Sequence, residues 1–131
     1  MSQENVEIVR SLYAAFARGD VPAVLGGMAP AIDWREADNF IYADGNPYIG
    51  PDAVLQIFLR VGVEWDGFAA TPERFLDAGD TVVVPGRYTG KHKATGKSID
   101  AQFAHVWSLE NGKVARFQQY TDTLQVAQAV R

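Results

Sequence analysis

Apolar positions recur at two different spacings along the chain, and the change of spacing divides it in two. In the first half the period is helical. Val9, Leu12, Tyr13 and Phe16 fall at i, i+3, i+4 and i+7 and share one face. Ser2 is placed to cap this helix, Glu4 and Glu7 suit its first turn, and Gly19 suits its end. Asp20-Val21-Pro22 restarts a short second helix, with Asp20 as cap and Pro22 in the first turn. Residues 31–37 alternate as a strand, with Ile32, Trp34 and Glu36 on one face. Asp44-Gly45-Asn46-Pro47 reads as a turn, and Gly50-Pro51-Asp52 opens a third helix buried along Val54, Ile57, Phe58 and Val61.

The second half switches to strand patterning. Segments 68–77, 81–93, 98–110 and 113–122 are separated by the turns Ala78-Gly79-Asp80, Ala94-Thr95-Gly96 and Asn111-Gly112, which predicts an antiparallel meander. Helices followed by a run of long strands make an α+β pattern, and without repeat, linker or low-complexity segment residues 1–131 read as one domain. Phe103-Ala104-His105-Val106-Trp107 is almost apolar on both strand faces. Helices cover only one side of such a sheet, so a homodimer through the outer sheet face is the expectation; an ordinary mixed strand is the alternative.

Composition narrows the function classes. The chain of 131 residues is 47% apolar and 21% charged, an ordinary globular balance. A net charge of −4 offers no electrostatic pull toward nucleic acid or an anionic membrane. Without cysteine there is no disulfide framework, thiolate metal site or cysteine nucleophile. The polar, acidic start Met1-Ser2-Gln3-Glu4-Asn5 is unlike a signal peptide, and no apolar run spans a bilayer, so a cytoplasmic protein is expected.

Several motifs fail on inspection. Ala94-Thr95-Gly96-Lys97-Ser98 resembles the tail of a phosphate-binding loop, but the required first glycine falls on Lys91 and the segment joins two strands. Lys91, His92, Lys93 and Lys97 therefore read as a solvated basic hairpin tip. His92 and His105 have no metal-ligand spacing to carboxylates, and neither a serine nucleophile elbow nor a dinucleotide glycine pattern occurs. No metal and no cofactor are expected.

What remains is a set of polar groups among aromatics. Glu36 shares a strand face with Trp34, His105 with Phe103 and Trp107, and Gln119 with Phe117. If these faces converge on one concavity, a carboxylate and an imidazole share an apolar pocket. Burial there raises a carboxyl pKa and turns a weak base into one useful near neutral pH, while an imidazole can donate to a developing oxyanion. The structural alternatives are a hydrogen-bonded core histidine, a rim carboxylate paired with Arg35 or Arg60, and aromatics that merely fill a core.

The run Tyr13-Ala14-Ala15-Phe16-Ala17-Arg18-Gly19-Asp20, the helix start Ile49-Gly50-Pro51-Asp52-Ala53, the strand His105 to Val114 and the closing Phe117 to Thr123 together resemble the ketosteroid-isomerase-like, SnoaL-like polyketide-cyclase group of the nuclear-transport-factor-two-like superfamily. The resemblance covers essentially the whole chain. It implies a cone-shaped, curved antiparallel sheet wrapped around N-terminal helices and enclosing one apolar pocket, a cystatin-like α+β barrel. The family's general-base aspartate falls at Glu36, and its oxyanion-hole acid on the long strand falls at His105. Its oxyanion-hole tyrosine falls at Leu12, which cannot donate, with the adjacent Tyr13 expected to point elsewhere.

The resulting expectation is a cofactor-independent isomerase or cyclase that abstracts a proton beside a carbonyl of a small apolar substrate. Glu36 is the base and His105 the electrophilic donor; Gln119 and Tyr88 orient the substrate; Phe16, Trp34, Phe103, Trp107 and Phe117 line the pocket. Hydrolysis by an activated water ranks lower, because few polar groups are available to hold the water. The rivals are a non-catalytic binder of a hydrophobic ligand and a dimeric scaffold with a filled core.

Overall fold

The computed structural model describes residues 3–131, so the expected Ser2 cap lies outside the described residues. Helix α1 (Gln3–Ala17) buries Val6, Val9, Leu12, Tyr13 and Ala15, the stripe its periodicity predicts. Helix α2 (Val21–Gly26) starts on Asp20, whose carboxylate accepts a hydrogen bond from the Ala23 N–H at 3.1 Å. Helix α3 (Pro51–Glu64) buries Val54 and Ile57, with Phe58 and Val61 half-buried beside them. It follows Gly50, whose φ of 90° suits a residue without a side chain.

Seven strands form one sheet: β1 (Met28–Arg35), β2 (Tyr48–Ile49), β3 (Trp65–Pro72), β4 (Leu76–Ala78), β5 (Thr81–His92), β6 (Ser98–Glu110) and β7 (Lys113–Thr121). Their order is β2-β1-β7-β6-β5-β3, with β4 also on β5. The expected antiparallel meander is present as β5-β6-β7. The sheet as a whole, however, is mixed and open. β1 joins β7 in parallel, with Trp34 opposite Phe117, and β2 and β3 form the two ends. A hairpin forces antiparallel pairing, but strands as far apart in sequence as β1 and β7 carry no such constraint.

The segment expected as one strand over 68–77 is two. β3 begins earlier, at Trp65, through an irregularity around Gly67, and ends at Pro72, which has no N–H to continue the ladder. β4 resumes on the other end of β5. A last helix, α4 (Thr123–Ala129), was not expected; Asp122 caps it by accepting from the Gln125 N–H at 3.1 Å, and Val126 and Ala129 anchor it. It also changes the reading of the basic hairpin tip. Thr95 Oγ1 donates to the Ala129 carbonyl at 2.6 Å, and His92 is buried with its ring 5.0 Å from that of Trp65, so of the four basic side chains at the tip the three lysines are exposed and His92 is not.

The helices pack on the inner face of the sheet. Alternation along β6 sends Ile99, Ala101, Phe103, His105, Trp107 and Leu109 inward, and leaves Ala104 and Val106 half-buried on the outer face.

Candidate functional site

Five elements direct polar side chains into one cavity. The inward face of β1 continues past its end to deliver Trp34 and Glu36, β6 delivers His105 and Trp107, and β7 delivers Phe117 and Gln119. Tyr88 comes from β5, and Tyr13 and Phe16 from α1. The cavity volume is about 80 Å³, small beside the roughly 300–1,000 Å³ of drug-sized sites. Apart from Glu36, His105, Gln119 and the phenol and indole groups, its walls are apolar.

Glu36 is 4% exposed. Its Oε2 accepts from Trp34 Nε1 at 2.9 Å, while Oε1 has no hydrogen-bond partner among the described residues. Asn46 fixes the Glu36 backbone from both sides, accepting from its N–H at 2.9 Å and donating to its carbonyl at 2.8 Å. Burial pushes the carboxyl up to about 7, against the opposing hydrogen bond from Trp34 and the charge of Arg60. A rim ion pair is not what holds it: Arg35 pairs with Asp33 and Arg60 with Asp44, each at 2.9 Å.

His105 is 5% exposed, and burial pushes its pKa down to about 3, so the imidazole is neutral. Nδ1 lies 2.5 Å from the Tyr13 hydroxyl and Nε2 lies 2.6 Å from the Tyr88 hydroxyl. With both nitrogens engaged, His105 has no direct donor for a ligand, unlike the sequence expectation. The two phenols stand in that place. Burial raises both phenol pKa values, so each stays a neutral hydroxyl.

The remaining network is equally closed. Trp107 Nε1 donates to Tyr13 at 2.9 Å. Gln119 Nε2 donates to Tyr88 at 2.8 Å while its Oε1 accepts from the Ala37 N–H at 3.0 Å, which fixes the amide orientation. Trp34 stacks on Phe117 with ring centroids 3.7 Å apart. Phe103 is not among the cavity-lining residues: its ring stacks on that of His105, two positions along the same strand face, at 3.9 Å. That stacking depends on Gly86, where a Cβ would come within 2.5 Å of Phe103 Cζ and 2.3 Å of the Thr71 carbonyl oxygen.

Phe16, Trp34, Glu36, Tyr88, His105, Trp107, Phe117 and Gln119 are thus brought together, and Phe103 does not line the cavity. Tyr13 was missed. It lines the cavity beside Leu12 instead of pointing away. The available signal was its position in an otherwise apolar helical stripe, since a buried tyrosine hydroxyl needs a partner. Among the described residues no three His, Asp or Glu side chains converge as metal ligands would.

Known proteins share this architecture. The chain is similar to an NTF2-like protein from Burkholderia thailandensis E264, at 43% identity, 96% coverage of both chains and a TM-score of 0.92. It is also similar to TerC co-crystallized with polyporic acid, at 25% identity, 98% coverage of both chains and a TM-score of 0.87. A curated relative, patulin synthesis protein F from Aspergillus clavatus, is 30% identical over 87 residues, which is 66% of this chain but only 44% of that protein. The family described as SnoaL-like domain matches residues 9–117, most of the cavity-forming core, and the chain belongs to that family, on an NTF2-like fold.

Proposed function

We propose that this chain is a cofactor-independent isomerase or cyclase in which Glu36 removes a proton from carbon beside a carbonyl of a small apolar substrate. One observation carries the reading: a buried carboxylate with one oxygen unpartnered among the described residues, in an apolar cavity also lined by the phenols of Tyr13 and Tyr88. Glu36 Oε1 takes the proton, and the C–H electrons move into an enolate whose oxygen is held by a tyrosine hydroxyl. The protonated Glu36 then returns its proton to another carbon in an isomerisation; in a cyclisation the carbanion carbon attacks a second carbonyl, whose π electrons move onto its oxygen, and that alkoxide takes the proton back from Glu36. A carboxyl near 7 is basic enough for this and still largely ionised above neutral pH. Relatives named for patulin synthesis and co-crystallized with polyporic acid support a small organic substrate. The neighbouring outer face, with half-buried Val83, Ala104 and Val106, suits a homodimer.

The test is proton–deuterium exchange at the α-carbons of small cyclic ketones, such as 2-tetralone, in deuterated buffer, followed by proton NMR. Exchange is expected to rise with pH as Glu36 ionises, levelling off above about 7. Glu36→Gln should lower it by about 10²–10⁴. An equal rate in the variant would remove Glu36 from the chemistry. Ketone binding without any exchange in the unmodified protein would favour the non-catalytic binder.

A further inference from the structure

Counting hydrogens around His105 leaves one over. The neutral imidazole carries one N–H, and Tyr13 and Tyr88 carry one O–H each. Those three hydrogens serve two contacts, Tyr13 to Nδ1 and Tyr88 to Nε2. Neither phenol oxygen can escape being an acceptor as well, because Trp107 Nε1 and the oriented Gln119 amide both donate inward. If the ring proton is on Nδ1, it donates to Tyr13, Tyr88 donates to Nε2, and the Tyr13 hydrogen is left without a protein acceptor. If the ring proton is on Nε2, the spare hydrogen belongs to Tyr88. Among the described residues neither hydroxyl has a further partner, and both line the cavity.

We infer that His105 is a positioning residue whose tautomer selects which of Tyr13 and Tyr88 offers a single hydrogen bond to the ligand, and that the ligand is a neutral compound presenting a carbonyl oxygen to that hydroxyl. Among the described residues the cavity then holds one unmatched donor, the selected phenol, and one unmatched acceptor, Glu36 Oε1. A buried polar group without a partner is costly, so a ligand that satisfies both is favoured over a purely hydrocarbon one. Because the same imidazole serves two phenols, the donor can stand at either of two places on the wall without any side chain moving. The choice of ligand rests on the proton-abstraction reading; the hydrogen count does not.

The two parts separate in one set of measurements. Nitrogen-15 NMR of histidine-labelled protein without ligand reads the tautomer directly. Tyr88→Phe removes the partner of Nε2, and an unpaired ring acceptor is tolerated better than a buried orphan N–H, so the proton should settle on Nδ1. Tyr13→Phe should put it on Nε2. The same tautomer in both variants, or an imidazolium in the unmodified protein between pH 5 and 9, would overturn the selection; the latter measurement stands even if a variant fails to fold. For the ligand class, the carbonyl infrared band of 2-cyclohexen-1-one should shift to lower frequency on binding, persist in each single variant and lose the shift in the double variant. A shift that survives in the double variant, or none in the unmodified protein, would overturn the carbonyl assignment while leaving Glu36 to be judged by its exchange rates.

Discussion

Asp33 and Glu36 lie three positions apart at the end of β1, and the two sides of the chain treat them oppositely. Asp33 points out and accepts from Arg35 at 2.9 and 3.3 Å, which holds its carboxyl below the usual range. Glu36 points in, loses its water and rises to about 7. The difference comes from which face each occupies, as strand alternation dictates, and not from the chemistry of the carboxyl group. An acid that is to act as a base near neutral pH needs the second environment, while the first produces an ordinary surface charge.

The contrast has consequences for stability. A carboxyl whose folded pKa is raised binds more protons folded than unfolded between pH 4.5 and about 7, so stability falls as pH climbs through that window and stays lowered above it. The shift corresponds to about 3 kcal/mol. Glu36→Gln should therefore stabilise the protein by up to about that amount at pH 8 and change little at pH 4, measured by urea denaturation at both values. No gain at pH 8 would mean that the carboxylate is better solvated than its burial implies. The next largest effect is expected at Trp34. Trp34→Phe removes the only donor to Glu36 Oε2 among the described residues, a charge-assisted bond of about 1.5–3 kcal/mol, and should move the carboxyl titration, followed by carbon-13 NMR, further above 7. An unmoved titration would place the indole outside the carboxylate's shell. The smallest effect belongs to Asp33→Asn. Asp33 has a depressed pKa, so its contribution is present above its unfolded value and fades as pH falls through the folded one. An exposed pair of this kind should shift the denaturation midpoint barely beyond error, with the opposite pH sense to Glu36.

Much of this arrangement is legible in the amino-acid sequence. Alternation alone places Ile32, Trp34 and Glu36 on one face, and all three are buried. The meander and its turns follow from glycine placement, and β6 and β7 start where the turn residues set them. What was not legible depends on contacts between distant segments. The parallel register of β1 on β7 joins residues more than 80 apart, and no local pattern encodes it. Helix α4 rests on Val126 and Ala129, too short a stripe to stand out. At the site, His105 was legible as a polar residue on an apolar face, but its partners were not. Tyr13 was discounted because family correspondence pointed to Leu12, although adjacent positions on a helix are only about 100° apart and both fit within one buried stripe. Phe103 shares the face of His105 and so reads as pocket wall, yet its ring stacks on the imidazole and does not line the cavity.

Gly86 shows how far control over the cavity extends beyond its lining. The residue does not line the cavity, yet the missing methyl group there leaves room for the Phe103 ring to stack on the imidazole. Tuning of this pocket therefore need not begin inside it: a single added carbon on the neighbouring strand would collide with the Thr71 carbonyl and with the ring on which the imidazole stacks.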